Sequence, residues 1–237
     1  MRIAAVGDLH CTRDGHGQLR GLFAEASAAA DALVLCGDLT DYGLPDEATV
    51  LADELMAGAT VPIVAVLGNH DHESGHAEEV SARLTAAGVK VLDGKSVEIG
   101  DVGFVGAKGF AGGFGTHALG AWGEPAIKAF VQAAIDEGLK LEAGLARLRT
   151  PHRVVALHYA PIVDTVVGEP EGIYPWLGTS RLEEPIDTYQ ASMVVHGHAH
   201  SGSLEGRTRG GVPVYNVAQP LLRANGHERG YRIVEVG

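Results

Sequence analysis

The sequence contains few cysteines, and this shortage excludes two kinds of protein. Only Cys11 and Cys36 occur among the 237 residues, which is too few for a disulfide framework or for the thiolate pattern of a structural zinc site. In a cytosolic chain the default state of such residues is a reduced thiol. We therefore expect two free thiols with no functional role.

Basic residues are also scarce. The chain has 18 Lys and Arg against 30 Asp and Glu, which gives a formal net charge of -12. This charge repels nucleic acid and anionic membrane surfaces at long range. We therefore expect a small substrate rather than a polymer, with no nucleic-acid partner and no membrane partner, while the oligomeric state stays open.

Long apolar runs are absent as well. No unbroken apolar stretch approaches the roughly 20 residues that a membrane-spanning helix needs. The chain enters a strand-like pattern at MRIAAVGDLH, without a basic leader or a cleavable apolar segment. With 46% hydrophobic residues for a core, the sequence predicts a soluble, cytoplasmic chain that forms a single domain over residues 1–237.

Short apolar runs recur along the whole chain, and in its first third they alternate with stretches of helical spacing. The runs predict strands at residues 3–6, 33–36, 63–67, 97–105, 153–157, 193–196, 212–217 and 231–235. Helices are predicted at residues 18–30, 45–56, 76–87, 125–149 and 180–190. The alternation favours a parallel βαβ core, and the hairpin pattern of VEIGDVGFVG, with its turn at Gly100 and Asp101, indicates a mixed sheet or two packed sheets.

Two loops are longer than a connection requires. They cover residues 106–123, which are rich in glycine, and residues 163–180, which contain Tyr174 and Trp176. We expect both to form walls of a pocket, although no motif in them identifies a ligand.

The strong apolar runs end in polar residues of one chemical kind. Carboxylate, imidazole or amide side chains follow five of the strands, at Asp8, His10, Asp38, Asn69, His70, Asp71, His158, His198 and His200. Since ligand sites of α/β sheets lie beyond the carboxyl ends of strands, these side chains are expected to converge. Such donors suit manganese, iron or zinc, and their number exceeds what one tetrahedral ion accepts. We therefore predict two metal ions, with Asp38 able to bridge them.

Five short motifs carry a resemblance to a known family. They are D-x-H at Asp8 and His10, G-D at Gly37 and Asp38, G-N-H-D from Gly68 to Asp71, the histidine His158, and G-H-x-H from Gly197 to His200. In this order they resemble the calcineurin-like metallophosphoesterase superfamily, and together they span residues 8 to 200. The resemblance implies a four-layered α/β/β/α sandwich with two mixed β-sheets.

The resemblance also implies roles for the individual residues. It assigns Asp8, His10 and His200 to the first metal, Asp38 to both, and Asn69, His158 and His198 to the second. It places His70 beside the scissile phosphate without a metal bond, with Asp71 or a neighbouring group orienting the imidazole. His196 precedes the turn at Gly197, so we interpret it as a core histidine.

Residues outside these motifs are expected to have packing or surface roles. The aromatic residues Trp122 and Trp176 are able to stack on a substrate ring, yet loop packing is the default for both. His72 follows G-N-H-D directly, and a surface or supporting role is expected for it. Lys108 is a candidate phosphate partner, but the expected place for its side chain is the solvated surface.

The predicted function is hydrolysis of a small phosphodiester, such as a cyclic nucleotide, by attack of a hydroxide that bridges the two metals. The alternative is a phosphomonoesterase or a nucleotide pyrophosphatase, which a substrate panel would separate. A nuclease of the same superfamily is disfavoured by the acidic balance. A non-catalytic scaffold is disfavoured because none of the ligand motifs is lost.

Overall fold

Eleven strands form two β-sheets in the computed structural model, which describes residues 1–237. The strands are β1 (Arg2–Val6), β2 (Ala32–Cys36), β3 (Ile63–Val66), β4 (Lys90–Val91), β5 (Lys95–Ile99), β6 (Val102–Ala107), β7 (His152–Leu157), β8 (Met193–His196), β9 (Glu205–Arg207), β10 (Pro213–Asn216) and β11 (Arg232–Glu235). The first sheet has the order β11-β1-β2-β3-β4, and the second has the order β5-β6-β7-β8-β10-β9.

Both sheets are mixed. In the first, β1 to β4 are parallel and β11 joins β1 antiparallel. In the second, β6, β7, β8 and β10 are parallel, while β5 and β9 are antiparallel edge strands. The expectation of two mixed sheets is confirmed, and the predicted turn at Gly100 and Asp101 joins β5 to β6.

Helices cover the outer face of each sheet. They are α1 (Arg20–Ala29), α2 (Pro45–Gly58), α3 (Asn69–Glu73), α4 (Ala77–Ala86), α5 (Pro125–Leu145), α6 (Tyr174–Leu177), α7 (Glu183–Thr188) and α8 (Gln219–Ala224). Side chains of α1, α2 and α4 pack on the first sheet, and those of α5 and α7 pack on the second. The layers therefore follow the order α/β/β/α.

The alternation of side chains along the strands builds these layers. In β1, Ile3 and Ala5 face the second sheet, whereas Ala4 and Val6 face the helices. All four side chains are fully buried. Because successive residues of a strand point to opposite faces, a strand buried on both sides has the continuous apolar run seen in the sequence.

The longest helix, α5, is amphipathic. Its side chains at Val131, Ala134, Leu141 and Leu145 are buried at helical spacing. It ends at Leu145, four residues before the predicted end, and a turn at residues 146–147 follows it. No helix of the chain is both long and apolar enough to cross a bilayer.

The first turn of α1 has no capping side chain of its own. Its backbone N–H groups at Leu19 and Arg20 instead donate to the carboxylate of Glu54 in α2, at 3.0 and 2.9 Å, and the N–H of Gly17 donates to the same carboxylate at 2.8 Å. The Glu54 side chain is 1% exposed. A buried carboxylate with three backbone donors replaces the local cap that the sequence lacks.

Replacing Glu54 with alanine is expected to lower the free energy of unfolding by about 2 kcal/mol, since three donors lose a charged acceptor. Burial raises the pKa of Glu54, but the three N–H donors outweigh burial and hold it below its ordinary value of 4.5. The stabilisation is therefore complete above that pH and declines as the pH falls further. Urea denaturation of wild type and Glu54→Ala at pH 7 and near pH 3 measures this stabilisation. If the difference in unfolding free energy between the two proteins is the same at both pH values, the prediction is wrong.

Candidate metal centre

The predicted site residues meet at the carboxyl ends of strands from both sheets. The first sheet contributes Asp8 and His10 after β1, Asp38 after β2, and Asn69, His70 and Asp71 after β3, and the second contributes His158 after β7 and His198 and His200 after β8. The site therefore lies across the seam between the two sheets.

One group of donor atoms is formed by Asp8, His10 and His200. A ligand atom of each lies within 4.8 Å of those of the other two. The Nε2 atom of His200 is 2.9 Å from Oδ1 of Asp8, whose carboxylate is buried. The Nδ1 atom of His10 faces Oδ1 of Asp41 at 3.4 Å, so Asp41 orients that imidazole.

A second group is formed by Asp38, His158 and His198, again within 4.8 Å. The Nε2 atom of His158 lies 2.9 Å from Oδ1 of Asn69 and 3.3 Å from Oδ1 of Asp38. The second carboxylate oxygen of Asp38, Oδ2, lies 4.0 Å from Nε2 of His10 in the first group. Asp38 thus lies between the two groups, with one oxygen toward each.

Backbone carbonyls orient the histidines of the second group. The Nδ1–H group of His158 donates to the carbonyl oxygen of Cys36 at 2.9 Å, which leaves Nε2 facing the site. The Nε2–H group of His198 donates to the carbonyl oxygen of Trp176 at 3.3 Å, which leaves Nδ1 for a ligand. Such outer contacts fix which ring nitrogen is available.

The donor separations fit metal coordination. Two ligand atoms at right angles, each about 2.1 Å from one cation, lie about 3 Å apart. The pairs His200–Asp8, His158–Asn69 and His158–Asp38 are separated by 2.9, 2.9 and 3.3 Å. Together with the mixture of carboxylate, imidazole and amide donors, these separations suit two first-row transition-metal ions.

Charges in the site shift several pKa values. Burial raises the pKa of Asp38, but the positive charge of His158 outweighs burial and holds it well below its usual range. Burial likewise lowers the pKa of His158, and the Asp38 carboxylate outweighs burial and raises it. Burial, followed by the charge of His158, lowers the pKa of His198 to about 3. Since a histidine must be neutral to bind a metal, the lowered pKa of His198 favours binding, whereas a metal bound at His158 would have to displace a proton.

The backbone adopts an unusual conformation at the site. Only five non-glycine residues have a positive φ, and four of them are the predicted ligands Asp8 (57°), His10 (45°), Asp38 (47°) and His198 (71°). A non-glycine residue in this region is disfavoured sterically and persists only where the surroundings enforce it. Such conformations concentrate at functional sites, and here they turn the ligands toward one point.

Glycines of the motifs permit the close approach of ligands. Gly68 packs against the Asp38 carboxylate so tightly that a β-carbon would collide with it. Gly37 has a φ of 80°, and a β-carbon there would lie 2.5 Å from Nδ1 of His158. The glycines of G-D and G-N-H-D therefore have a steric reason to precede the ligands.

His70 and Asp71 have different surroundings. The Nδ1–H group of His70 donates to the carbonyl oxygen of Asp41 at 2.6 Å, and its side chain is 35% exposed. Its ring also lies within 4.8 Å of the donor atoms of His10 and Asp38. Asp71 is fully buried and makes no hydrogen bond with the His70 ring. The group that holds the imidazole is the neighbouring Asp41 rather than Asp71.

The Asp71 carboxylate links the two turns that carry Asp38 and Asn69. Its carboxylate accepts hydrogen bonds from the backbone N–H groups of Leu39, Thr40 and Gly68, at 3.1, 2.8 and 2.7 Å. The hydroxyl of Thr40 donates to it as well. Asp71 therefore ties the turn after β2, which holds Asp38, to the turn after β3, which holds Asn69.

His196 lies in the interior, away from both donor groups. Its Nδ1 atom contacts the carbonyl oxygen of Gly197 at 2.7 Å and its Nε2 atom contacts the hydroxyl of Thr165 at 2.8 Å. Burial lowers the pKa of His196 to about 4, so the ring is neutral. These contacts agree with the interpretation of a core histidine.

The two long loops contact each other beside the site. The N–H group of Gly112 donates to the carbonyl oxygen of Pro175 at 2.7 Å, and Gly113 pairs with Thr179 in an isolated bridge. Trp176 is 59% exposed, and its carbonyl oxygen is the one that orients His198. The expectation for Lys108 was wrong, because its side chain is half-buried against the rings of Phe110 and Tyr159.

The contacts of Asp41 with the site were not predicted from the sequence. It contacts His10 through its carboxylate and His70 through its backbone carbonyl, at 3.4 and 2.6 Å. Its only signal in the sequence is its position three residues after Asp38. The carbonyls of Cys36 and Trp176 leave no signal, since every residue has a carbonyl.

Comparisons with known proteins agree with this geometry. The family model described as calcineurin-like phosphoesterase matches residues 1–202. Among solved structures, the phosphopantetheinyl hydrolase from Mycobacterium tuberculosis is similar at a TM-score of 0.72 and 16% identity, over 99% of this chain and 96% of that one. The protein TT1561 of Thermus thermophilus is similar at a TM-score of 0.56 and 16% identity, over 100% of this chain and 99% of that one. No curated protein sequence is significantly similar to the chain.

Proposed function

Because the chain belongs to the calcineurin-like phosphoesterase family and is a metal-dependent phosphoester hydrolase, we propose that it hydrolyses a small phosphodiester, such as a cyclic nucleotide. The observation that carries the proposal is the pair of donor groups that meet at Asp38. Asp8, His10 and His200 would hold one ion, Asn69, His158 and His198 the other, and Asp38 both. Two divalent cations bound there would supply a lowered pKa for an attacking water and positive charge for the phosphoryl oxygens.

The charge of the ligand set supports a diester. Two divalent cations carry four positive charges, and Asp8 and Asp38 are the two carboxylates among the seven proposed ligands. Two further negative charges therefore bring the site to neutrality. A diester and an ionised attacking water contribute one each, whereas a monoester brings roughly 1.5 to 2 by itself.

In this proposal, side chains of the protein donate the proton to the leaving group and orient the metal ligands. His70 stands beside both donor groups, with Nδ1–H tied to the Asp41 carbonyl. This contact leaves Nε2 available, and the doubly protonated imidazolium would pass its Nε2 proton to the leaving oxygen. His10 and His158 are held by Asp41 and by the Cys36 carbonyl. The buried Asp38 carboxylate accepts the backbone N–H of His70 at 2.8 Å and so fixes the distance between acid and phosphate.

A substrate panel combined with metal analysis tests the proposal. The purified chain, loaded in turn with Mn²⁺, Fe²⁺ and Zn²⁺, is assayed with cyclic nucleotides, bis(p-nitrophenyl) phosphate, p-nitrophenyl phosphate, a nucleoside diphosphate and a phosphopantetheinyl ester, after the name of the Mycobacterium tuberculosis neighbour. We expect two ions per chain and faster turnover of diesters. Turnover of p-nitrophenyl phosphate or the nucleoside diphosphate alone would favour the monoesterase or pyrophosphatase, and cleavage of a labelled oligonucleotide would favour the nuclease.

A further inference from the structure

Lys108 follows β6 at the same end of the second sheet as the metal ligands. Its carbonyl oxygen accepts the backbone N–H groups of His158 and Tyr159, at 3.1 and 3.0 Å. The ring of Tyr159 in turn lies against His198, with 4.4 Å between ring centroids. Lys108 is therefore fixed beside the group of donors that contains His158 and His198.

The ammonium group of Lys108 has no acidic partner. Its Nζ atom donates to the carbonyl oxygen of Gly109 at 2.8 Å and lies 4.8 and 5.1 Å from the ring centroids of Phe110 and Tyr159. No carboxylate oxygen lies within 4.0 Å of the Lys108 ammonium, although the side chain is half-buried. A cation withdrawn from water without a counter-ion is costly, and such groups are usually paired.

The acidic groups nearest to Lys108 are engaged elsewhere. Glu137 and Asp93 both pair with Lys140, at 2.8 and 2.9 Å. Glu137 also accepts the backbone N–H of Gly109 at 2.8 Å. Lys108 thus has no carboxylate in direct contact, and two of its three N–H donors are unused.

Lys108 is one of the residues that line a cavity of about 300 Å³, which is at the lower end of the range for ligand pockets. His72, two residues after His70, lines the same cavity. The other charged residues of its lining are Lys95, Glu78 and Asp93, the last of which is paired with Lys140. The lining therefore combines two lysines and an imidazole with two carboxylates, and Lys108 belongs both to this lining and to the backbone segment that binds His158.

We propose that Lys108 binds a second phosphate group of the substrate in this cavity, beside the phosphoryl group that is hydrolysed. The proposal rests on the proposed function of the metal centre, since it takes the position of the first phosphate from there. A compact ammonium with free donors is a common phosphate ligand, and the second phosphate is the missing counter-ion. Within the proposed class of small phosphodiesters, the preferred substrate is then one that carries a second phosphate next to the scissile one, and a simple cyclic nucleotide becomes the poorer substrate.

Binding of two non-hydrolysable probes to the metal-loaded protein tests this. Methylphosphonate carries one phosphonate group and methylenediphosphonate carries two. We expect Lys108→Met, which keeps the length and the packing on the rings, to weaken binding of methylenediphosphonate by about 10- to 100-fold and to change binding of methylphosphonate less than twofold. Lys108→Arg is expected to restore most of the difference. Isothermal titration gives the dissociation constants, with metal content measured before and after.

Lys128→Met is the matched control, because Lys128 is exposed on α5 and makes no side-chain hydrogen bond or ion pair. It should leave both dissociation constants unchanged. Equal weakening of both probes by Lys108→Met would place the ammonium on the first phosphate, and no weakening of either would remove the site; each result overturns the proposal. Neither probe contains a hydrolysable ester, so failure of the diesterase assay would leave this result standing.

Discussion

Replacing Asp38 with alanine is expected to abolish metal-dependent hydrolysis and to lower the metal content of the purified chain. One carboxylate oxygen of Asp38 lies 3.3 Å from Nε2 of His158, and the other lies 4.0 Å from Nε2 of His10. Because a single side chain faces both donor groups, its loss weakens both metal sites. A loss of turnover greater than about 100-fold is expected, since even supporting contacts of metal ligands are worth 10- to 100-fold.

Two further variants separate charge from backbone strain in that experiment. Asp38 has a φ of 47°, which asparagine tolerates better than alanine. Asp38→Asn therefore keeps the turn and an oxygen but removes the charge, and we expect it to lose metal as well. Asp53→Ala, on the exposed face of α2, should retain full metal and activity. Two fully occupied metal sites in Asp38→Ala would show that this residue does not bridge them.

Replacing His70 with alanine is expected to slow hydrolysis by about 100- to 10,000-fold when the leaving group is an alkoxide. With a nitrophenyl diester the defect should be modest, because nitrophenolate leaves without a proton. The imidazole is well placed for such a role, since Nδ1–H is held by the Asp41 carbonyl and the ring lies beside both donor groups. The rates on a cyclic nucleotide and on bis(p-nitrophenyl) phosphate, measured side by side, give the contrast.

The metal content of the same variant decides between two roles for His70. Its ring is also within reach of an ion near His10 and Asp38, so a ligand role predicts loss of metal. The acid role predicts two retained ions. An equal loss of rate on both substrates with full metal would instead indicate that His70 positions the phosphate. His76→Ala is a suitable control, because that imidazole is exposed and contacts only Glu79 on the surface.

The long helices and buried strands of the fold were predictable because they depend on the periodicity of side chains, whereas their arrangement in four layers was implied by the family resemblance. Buried strands such as β2 leave continuous apolar runs, and α5 leaves helical spacing over many residues. The short elements were not predicted. The two-residue strand β4 and the four-residue helix α6 are too brief to establish a period, and contacts distant in sequence decide them.

The convergence of the proposed ligands was predictable for a different reason. Each follows a strong strand, so their convergence required only that parallel strands end at one edge. The groups that orient them were not accessible in this way. Asp41 resembles any turn residue, and the carbonyl of Trp176 reaches His198 only because the loop 163–180 folds back over the site. Lys108 was expected in solvent, because the sequence around it does not indicate that its ammonium group lies against the rings of Phe110 and Tyr159.

The seam between the two sheets has a consequence for the interpretation of mutational scans. Asp8, Asp38 and Asn69 are attached to one sheet, whereas His158 and His198 are attached to the other. The apolar interior that includes Phe104 and Val34 packs these two halves together, and the hydrogen bond from His158 to the carbonyl oxygen of Cys36 also joins them. A shift of one sheet by a fraction of an ångström changes every distance between donor atoms of different sheets. Conservative substitutions at such interior positions are therefore expected to score as catalytic defects in an activity screen, while leaving every ligand and the melting temperature nearly intact.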